Sequence, residues 1–282
     1  MRNFATIQMG SWIVLVYFLT LSAFFAFSGQ LNEGFFFFLA GSIIALALSY
    51  QRRVVFLNEW SVFLVIAVSY EGLRYLYQPL SQRFGITDIF VLDKMLWGFN
   101  LTGTLQEAAK SSILTPVMTL AYSLHIPLVI IFALIFWMYR RDLFRLYATA
   151  VSICTYVAFL FFLIMPSAPP WWTGVAENLL AGGAAATYHS LSNIFESDPL
   201  AAFPSLHAAY VMLLTLILMK VGKKYGFAFV FVALAVLFST LYLGQHFLID
   251  LIAGTLLAFS SFFLAERLNQ RIILVRGERA IR

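Results

Sequence analysis

Residues 242–254 read YLGQHFLIDLIAG and continue directly into TLLAFSSFFLA at 255–265. Nearly every position is apolar, and such a run supplies the roughly 20 residues that a helix needs to cross a hydrocarbon core of about 30 Å. The stretch reads as the last of several transmembrane helices, yet it carries His246 and Asp250. A second stretch, FPSLHAAY at 203–210, opens another apolar run and carries His207. Ionisable side chains are costly in lipid, and where they occur they usually serve function.

The rest of the chain has the composition of a polytopic helical membrane protein. Of its 282 residues 62% are hydrophobic and only 11% charged, whereas a soluble domain carries about 25% charged residues. Eight candidate spans follow from the apolar runs, at about 11–28, 35–50, 58–77, 114–138, 144–165, 204–220, 226–243 and 246–265. The first lacks a strongly basic leader and a small-residue cleavage site, so it reads as a retained span. Most Lys and Arg residues fall on one side of this arrangement: Arg2, Arg52 and Arg53, Arg140 to Arg145, Lys220 to Lys224, and the tail from Arg267 to Arg282. The positive-inside rule then places both termini in the cytoplasm. The net charge of +5 is therefore a topology signal, and no nucleic-acid partner is implied. The single cysteine, Cys154, lies within a span and excludes a disulfide framework.

Two long connections, 78–113 and 166–203, fall on the outer side. The first suits a helix lying in the interface. The second opens with PSAPPWW, a rigid turn whose tryptophans fit the headgroup level. Long connections in a compact protein are commonly functional, so the working surface is expected outside. Asn100-Leu101-Thr102 is a glycosylation sequon on that side, a pattern that chance also produces. No internal repeat is evident.

His246 and Asp250 are four apart, which on a helix puts them on one face with about 6 Å of rise between them. A carboxylate there can hold one ring nitrogen and leave the other free as a nucleophile; a purely structural His–Asp pair is the plainer alternative. Pro204 and Ser205 start a helix well, with Ser205 as its cap and His207 in its first turn. A helix start is also an anion site. Two histidines, a carboxylate and a helix start at one membrane depth point to phosphoester chemistry.

These motifs resemble the type 2 phosphatidic acid phosphatase superfamily, and within it the branch of inositol phosphorylceramide synthase. The residues that carry the resemblance are Pro166-Ser167-Ala168-Pro169-Pro170-Trp171, Pro204 to His207, and Thr240-x-Tyr242-Leu243-x-x-His246-x-x-x-Asp250. It covers about residues 114–260. It implies that His246 attacks phosphorus, Asp250 orients it, His207 protonates the departing oxygen, and Ser205, with Thr240 and Tyr242, helps hold the phosphate. No metal or other cofactor is implied. Two departures stand out. Thr240 replaces the superfamily's third-motif arginine, as in the synthase branch, and the K-x6-RP motif is absent. Arg74 is the first candidate to balance the phosphate charge, with pairing to Glu71 as its alternative, and Lys94 is the second. His125, in AYSLHIP, reads as a packed histidine bonded across helices, and His189 as an exposed loop residue.

The expected fold is an all-α bundle of about eight transmembrane helices. Two N-terminal spans (1–56) precede a six-helix catalytic core (57–268) and a basic cytoplasmic tail (269–282). The expected function is transfer of a polyol-phosphate headgroup, such as phosphoinositol, between membrane lipids, with hydrolysis of a lipid phosphate as the alternative. The site is expected at the periplasmic or lumenal face. A proton-coupled transporter would spread its polar groups through membrane depth. A zinc enzyme built on His207, His246 and Asp250 would lack a characteristic ligand spacing, and Ser205 beside His207 does not form a protease nucleophile turn.

Overall fold

In a computed structural model, the structure describes residues 16, 19–20, 59–70, 72, 85–180 and 200–281, of 272–281 only the backbone. The expected spans at 11–28 and 35–50 fall almost wholly outside these residues, as do Glu71, Arg74 and His189. The chain divides into two units, Met1–Leu76 and Tyr77–Arg282. In the first, α1 (Glu59–Tyr70) is a short apolar helix in which Ser69 Oγ donates to the Val65 carbonyl at 2.6 Å.

Among the described residues of the second unit, the regular structure is helical. The outer connection forms two short helices, α2 (Ile89–Trp97) and α3 (Leu101–Ala109). Asp88 and Asn100 cap their N-termini, and Gly98, at φ +80°, ends α2 in the left-handed region that glycine tolerates. Two segments follow, α4 (Leu114–Ser123) and α5 (His125–Tyr139). The remaining helices are α6 (Arg141–Ile164), α7 (Leu206–Val221), α8 (Lys223–Tyr242) and α9 (Leu248–Ile281).

Among the described residues three helices are long and apolar enough to cross a membrane: α6, α8 and the Leu248–Arg271 part of α9. They become four if α4 and α5 count as one span. That pair is a correction to the continuous helix expected over 114–138, because its axis bends by 41° at Leu124. Pro127 has no N–H to give to the Ser123 carbonyl, so the helical ladder fails there.

Helices α6, α7, α8 and α9 form the core. Helix α7 packs against both α8 and α9, and α9 packs against α6. Small residues sit in the contacts: Ala150, Cys154 and Ala158 of α6, Ala208 and Ala209 of α7, and Ala258 of α9 are all fully buried. Small side chains let helix backbones approach closely where lipid supplies no hydrophobic drive. Phe227, Phe231, Leu256 and Phe263 lie exposed on the other faces of α8 and α9, the surface an acyl environment would cover. This is an integral membrane protein.

Candidate active site

Three separate stretches of the chain are tied together at one end of the bundle. Ser205 occupies the expected cap of α7, its Oγ accepting from the Ala208 N–H at 3.3 Å. Its own N–H donates to the Asp250 carbonyl at 3.1 Å. The crossing is tight because residue 254 is glycine, where a Cβ would collide with the Ser205 carbonyl oxygen. The PSAPPWW turn joins the same cluster. Ser167 Oγ accepts from the Phe203 N–H at 2.9 Å, and the Trp171 N–H donates to the Gly244 carbonyl at 3.1 Å.

His246 is not on the helix. It sits in the turn between α8 and α9, and α9 starts two residues later. The spacing to Asp250 therefore acts through a helix cap rather than a shared helix face. Asp250, the third residue of α9, reaches back so that Oδ2 accepts the Phe247 N–H at 2.8 Å, half of a capping box. The same oxygen lies 3.4 Å from His246 Nδ1, long for a hydrogen bond. The opposite ring nitrogen, Nε2, faces His207 Nδ1 at 3.1 Å. Asp250, His246 and His207 thus form one buried line. His207 Nε2 and Asp250 Oδ1 have no hydrogen-bond partner among the described residues.

Thr240 is buried, and its carbonyl accepts the N–H groups of both Gln245 and His246, at 2.9 and 3.2 Å. This folds the turn back on the end of α8. Gly244, at φ +78°, makes the reversal possible. The Tyr242 hydroxyl is occupied elsewhere, 2.8 Å from Thr115 Oγ1 and 3.2 Å from the Ser111 N–H. Lys94 is exposed and lies over the Phe90 ring at 5.8 Å. Asn100, the head of the sequon, commits its amide nitrogen to the Val175 carbonyl at 2.6 Å.

A family model described as the PAP2 superfamily matches residues 87–264, more than half of the chain. The chain belongs to the PAP2 superfamily. Within it, the chain is 27% identical over 245 residues to the inositol phosphorylceramide synthase catalytic subunit aur1 of Schizosaccharomyces pombe, covering 80% of this chain and 57% of that protein. It is 24% identical to the phosphoinositol dihydroceramide synthase of Bacteroides thetaiotaomicron, over 68% of this chain and 70% of that one. It is 25% identical to the inositol phosphorylceramide synthase of Candida albicans, over 61% and 40%. The chain therefore spans little more than half of the first of these relatives and less than half of the Candida protein. No solved structure matches it.

This PAP2 superfamily site includes residues to which the sequence reading gave no part in it. Among the described residues His125 has no bond to a distant helix: its Nδ1 lies 3.0 Å from the Tyr122 carbonyl, just before the bend. The bend at Leu124 turns it towards the site, where its ring lies 3.8 Å from that of His207. Tyr122 stacks on His207 as well, at 4.5 Å. Gln106 of α3 is buried and makes three bonds. Its Nε2 donates to the Glu177 and Tyr242 carbonyls, both at 2.9 Å, and its Oε1 accepts the Glu177 N–H at 2.8 Å. Asp93 of α2 is buried against the start of α9. A carboxylate one turn from Ile89 on the inward face of a short apolar helix was the available signal for Asp93; Gln106 lies among other polar residues of α3 and had no such signal.

Proposed function

We propose that this chain is a membrane-embedded lipid phosphotransferase that works through a phosphohistidine on His246. The carrying observation is the buried line in which Asp250 stands behind Nδ1 of His246 while Nε2 faces His207 at 3.1 Å. With the proton held on Nδ1, Nε2 carries the lone pair. The donor phosphate enters between the two rings and replaces their mutual contact. His246 Nε2 then attacks phosphorus, and the P–O bond to the diacylglycerol leaving group breaks. The anionic phosphate beside His207 favours its imidazolium form, which gives its proton to the departing oxygen. The phosphohistidine ring is cationic, and the Asp250 carboxylate stabilises it.

In the second half, the hydroxyl of an acceptor loses its proton to His207 and attacks phosphorus. The N–P bond breaks and His246 is restored. The headgroup moved is a polyol phosphate such as phosphoinositol, and the acceptor is a lipid or other alcohol, a ceramide or diacylglycerol being the lipid choices. Ser205 and the free amides at the start of α7 hold the phosphate oxygens. The bundle has about eight spans with both termini in the cytoplasm, and the site opens to the periplasmic or lumenal leaflet. Relatives named as synthases support transfer over hydrolysis.

Purified protein incubated with donor lipid labelled in its phosphate, with and without alcohol acceptors, tests this. Label should enter a new lipid only when acceptor is present. Label released as free phosphate whatever the acceptor would make the chain a phosphatase. His246→Asn and His207→Ala should each lower turnover about 10²- to 10⁴-fold, as loss of acid–base or nucleophilic groups does, without lowering the melting temperature. Near-native turnover in His246→Asn would exclude the phosphohistidine.

A further inference from the structure

Helix α9 begins at Leu248, which makes Phe247 its cap residue. A cap normally supplies a side-chain oxygen to the second or third N–H of the helix, and phenylalanine has none. Asp250 reaches back to the Phe247 N–H, but that leaves the helix's own first amides unserved. The missing oxygen comes from another helix. Asp93 Oδ1, from α2, accepts the Ile249 N–H at 3.0 Å and the Trp97 indole N–H at 3.2 Å.

Asp93 occupies a position that helix periodicity assigns to the core. The two buried residues of α2 are Ile89 and Asp93, one turn apart, while Val91, Leu92, Met95 and Leu96 face outward. Burial raises the Asp93 carboxyl above its ordinary range, against the pull of the Ile249, Trp97 and Leu248 donors. A buried carboxylate at an apolar position is costly unless its bonds are needed. Its neighbours act on the same turn. Phe90 of α2 packs against Phe247 with ring centroids 6.0 Å apart, and Gln106 of α3 holds the Tyr242 carbonyl.

We propose that Asp93 is a positioning residue of the transfer reaction: it caps α9 from outside and thereby fixes Asp250, and through it the His246 ring. Ile249, the residue it holds, directly precedes Asp250. With His246 and Asp250 in the roles given above, a frayed first turn would carry the orienting carboxylate away from Nδ1, and that contact is already 3.4 Å long. The role requires an oxygen at one place, not a charge.

The test compares Asp93→Asn, Asp93→Glu and Asp93→Ala in the full-length protein, beside His246→Asn, using labelled phospholipid donor and alcohol acceptor. Asn keeps an oxygen at Oδ1 and should retain nearly wild-type kcat. Glu keeps the charge but carries it past the Ile249 N–H, and Ala removes both. Each of these two should lose about 10- to 100-fold in kcat at little-changed KM, the scale of a small misplacement in an active site. Amide hydrogen exchange over residues 244–252 should speed up in Glu and Ala but not in Asn. If Ala does not fold, the Asn–Glu pair still decides. An inactive Asn with an active Glu would overturn positioning in favour of charge, and unchanged kcat and exchange in Glu would remove Asp93 from the reaction. An active His246→Asn would instead overturn the phosphohistidine reading, whatever the Asp93 variants do.

Discussion

His207 packs against two rings that also touch each other, Tyr122 at 4.5 Å and His125 at 3.8 Å. A general acid works only when its nitrogen stays on the line of the reacting bond, and a shift of 1 Å can cost up to about 100-fold. His125→Ala, which opens a gap beside that ring, should therefore reduce kcat by up to about 100-fold. His125→Phe, which keeps an aromatic face but loses the bond to the Tyr122 carbonyl, should lie between. Steady-state kinetics on both variants checks this, and wild-type kcat in His125→Ala would leave His125 a mere filler. His246 and Asp250 were legible in the sequence because ionisable groups in an apolar run are conspicuous. His125 was equally visible, but its partner lies in a distant stretch, and no local pattern announces a contact between rings.

At the scale of elements, the site depends on how closely α9 crosses the start of α7. Gly254→Ala would press a methyl group into the Ser205 carbonyl, a backbone atom that cannot turn aside. Overpacking of this kind costs about 1–3 kcal/mol, so a lowered melting temperature is expected, with reduced turnover because the Ser205–Asp250 backbone bond sits at that crossing. Gln106→Ala tests a second joint. It strands the buried Tyr242 carbonyl and frees the exposed Glu177 backbone from α3, and an unsatisfied buried group costs about 1–3 kcal/mol. A thermal melt equal to that of the wild type would mean that α3 does not secure the turn. The long helices were legible from apolar runs, and the start of α7 from its Ser205 cap. The bend at Leu124 was not assigned, although Pro127 was in plain view, because a proline kinks some membrane helices and merely loosens others, depending on what packs beside it.

Across the whole molecule, the basic residues divide the connections into two sets. The site, the PSAPPWW turn and α2–α3 belong to the set poor in Lys and Arg. Thr173 and Lys223 are both exposed and belong to opposite sets. The single cysteine, Cys154, is buried, so a Cys154→Ser background allows one reporter at a time. A membrane-impermeant thiol reagent applied to intact cells should modify Thr173→Cys and not Lys223→Cys. The reverse pattern would invert the topology and place the site on the cytoplasmic side.

The sequence alone determined the class of molecule, since apolar runs of membrane length admit only helices. It also pointed to the candidate residues, since PSLH and H-x-x-x-D each set ionisable groups in a short apolar stretch where they stand out. Only the tertiary structure decided how those groups are held. Asp93 and Ile249 lie 156 residues apart, and His207 and His246 meet across 39. It also moved His246 off the helix into a turn, because the helix has its capping carboxylate at Asp250 and needs a second oxygen that its own cap residue lacks. Contacts between distant stretches depend on packing that no local pattern encodes, so the frame around the site became visible only when the chain was folded.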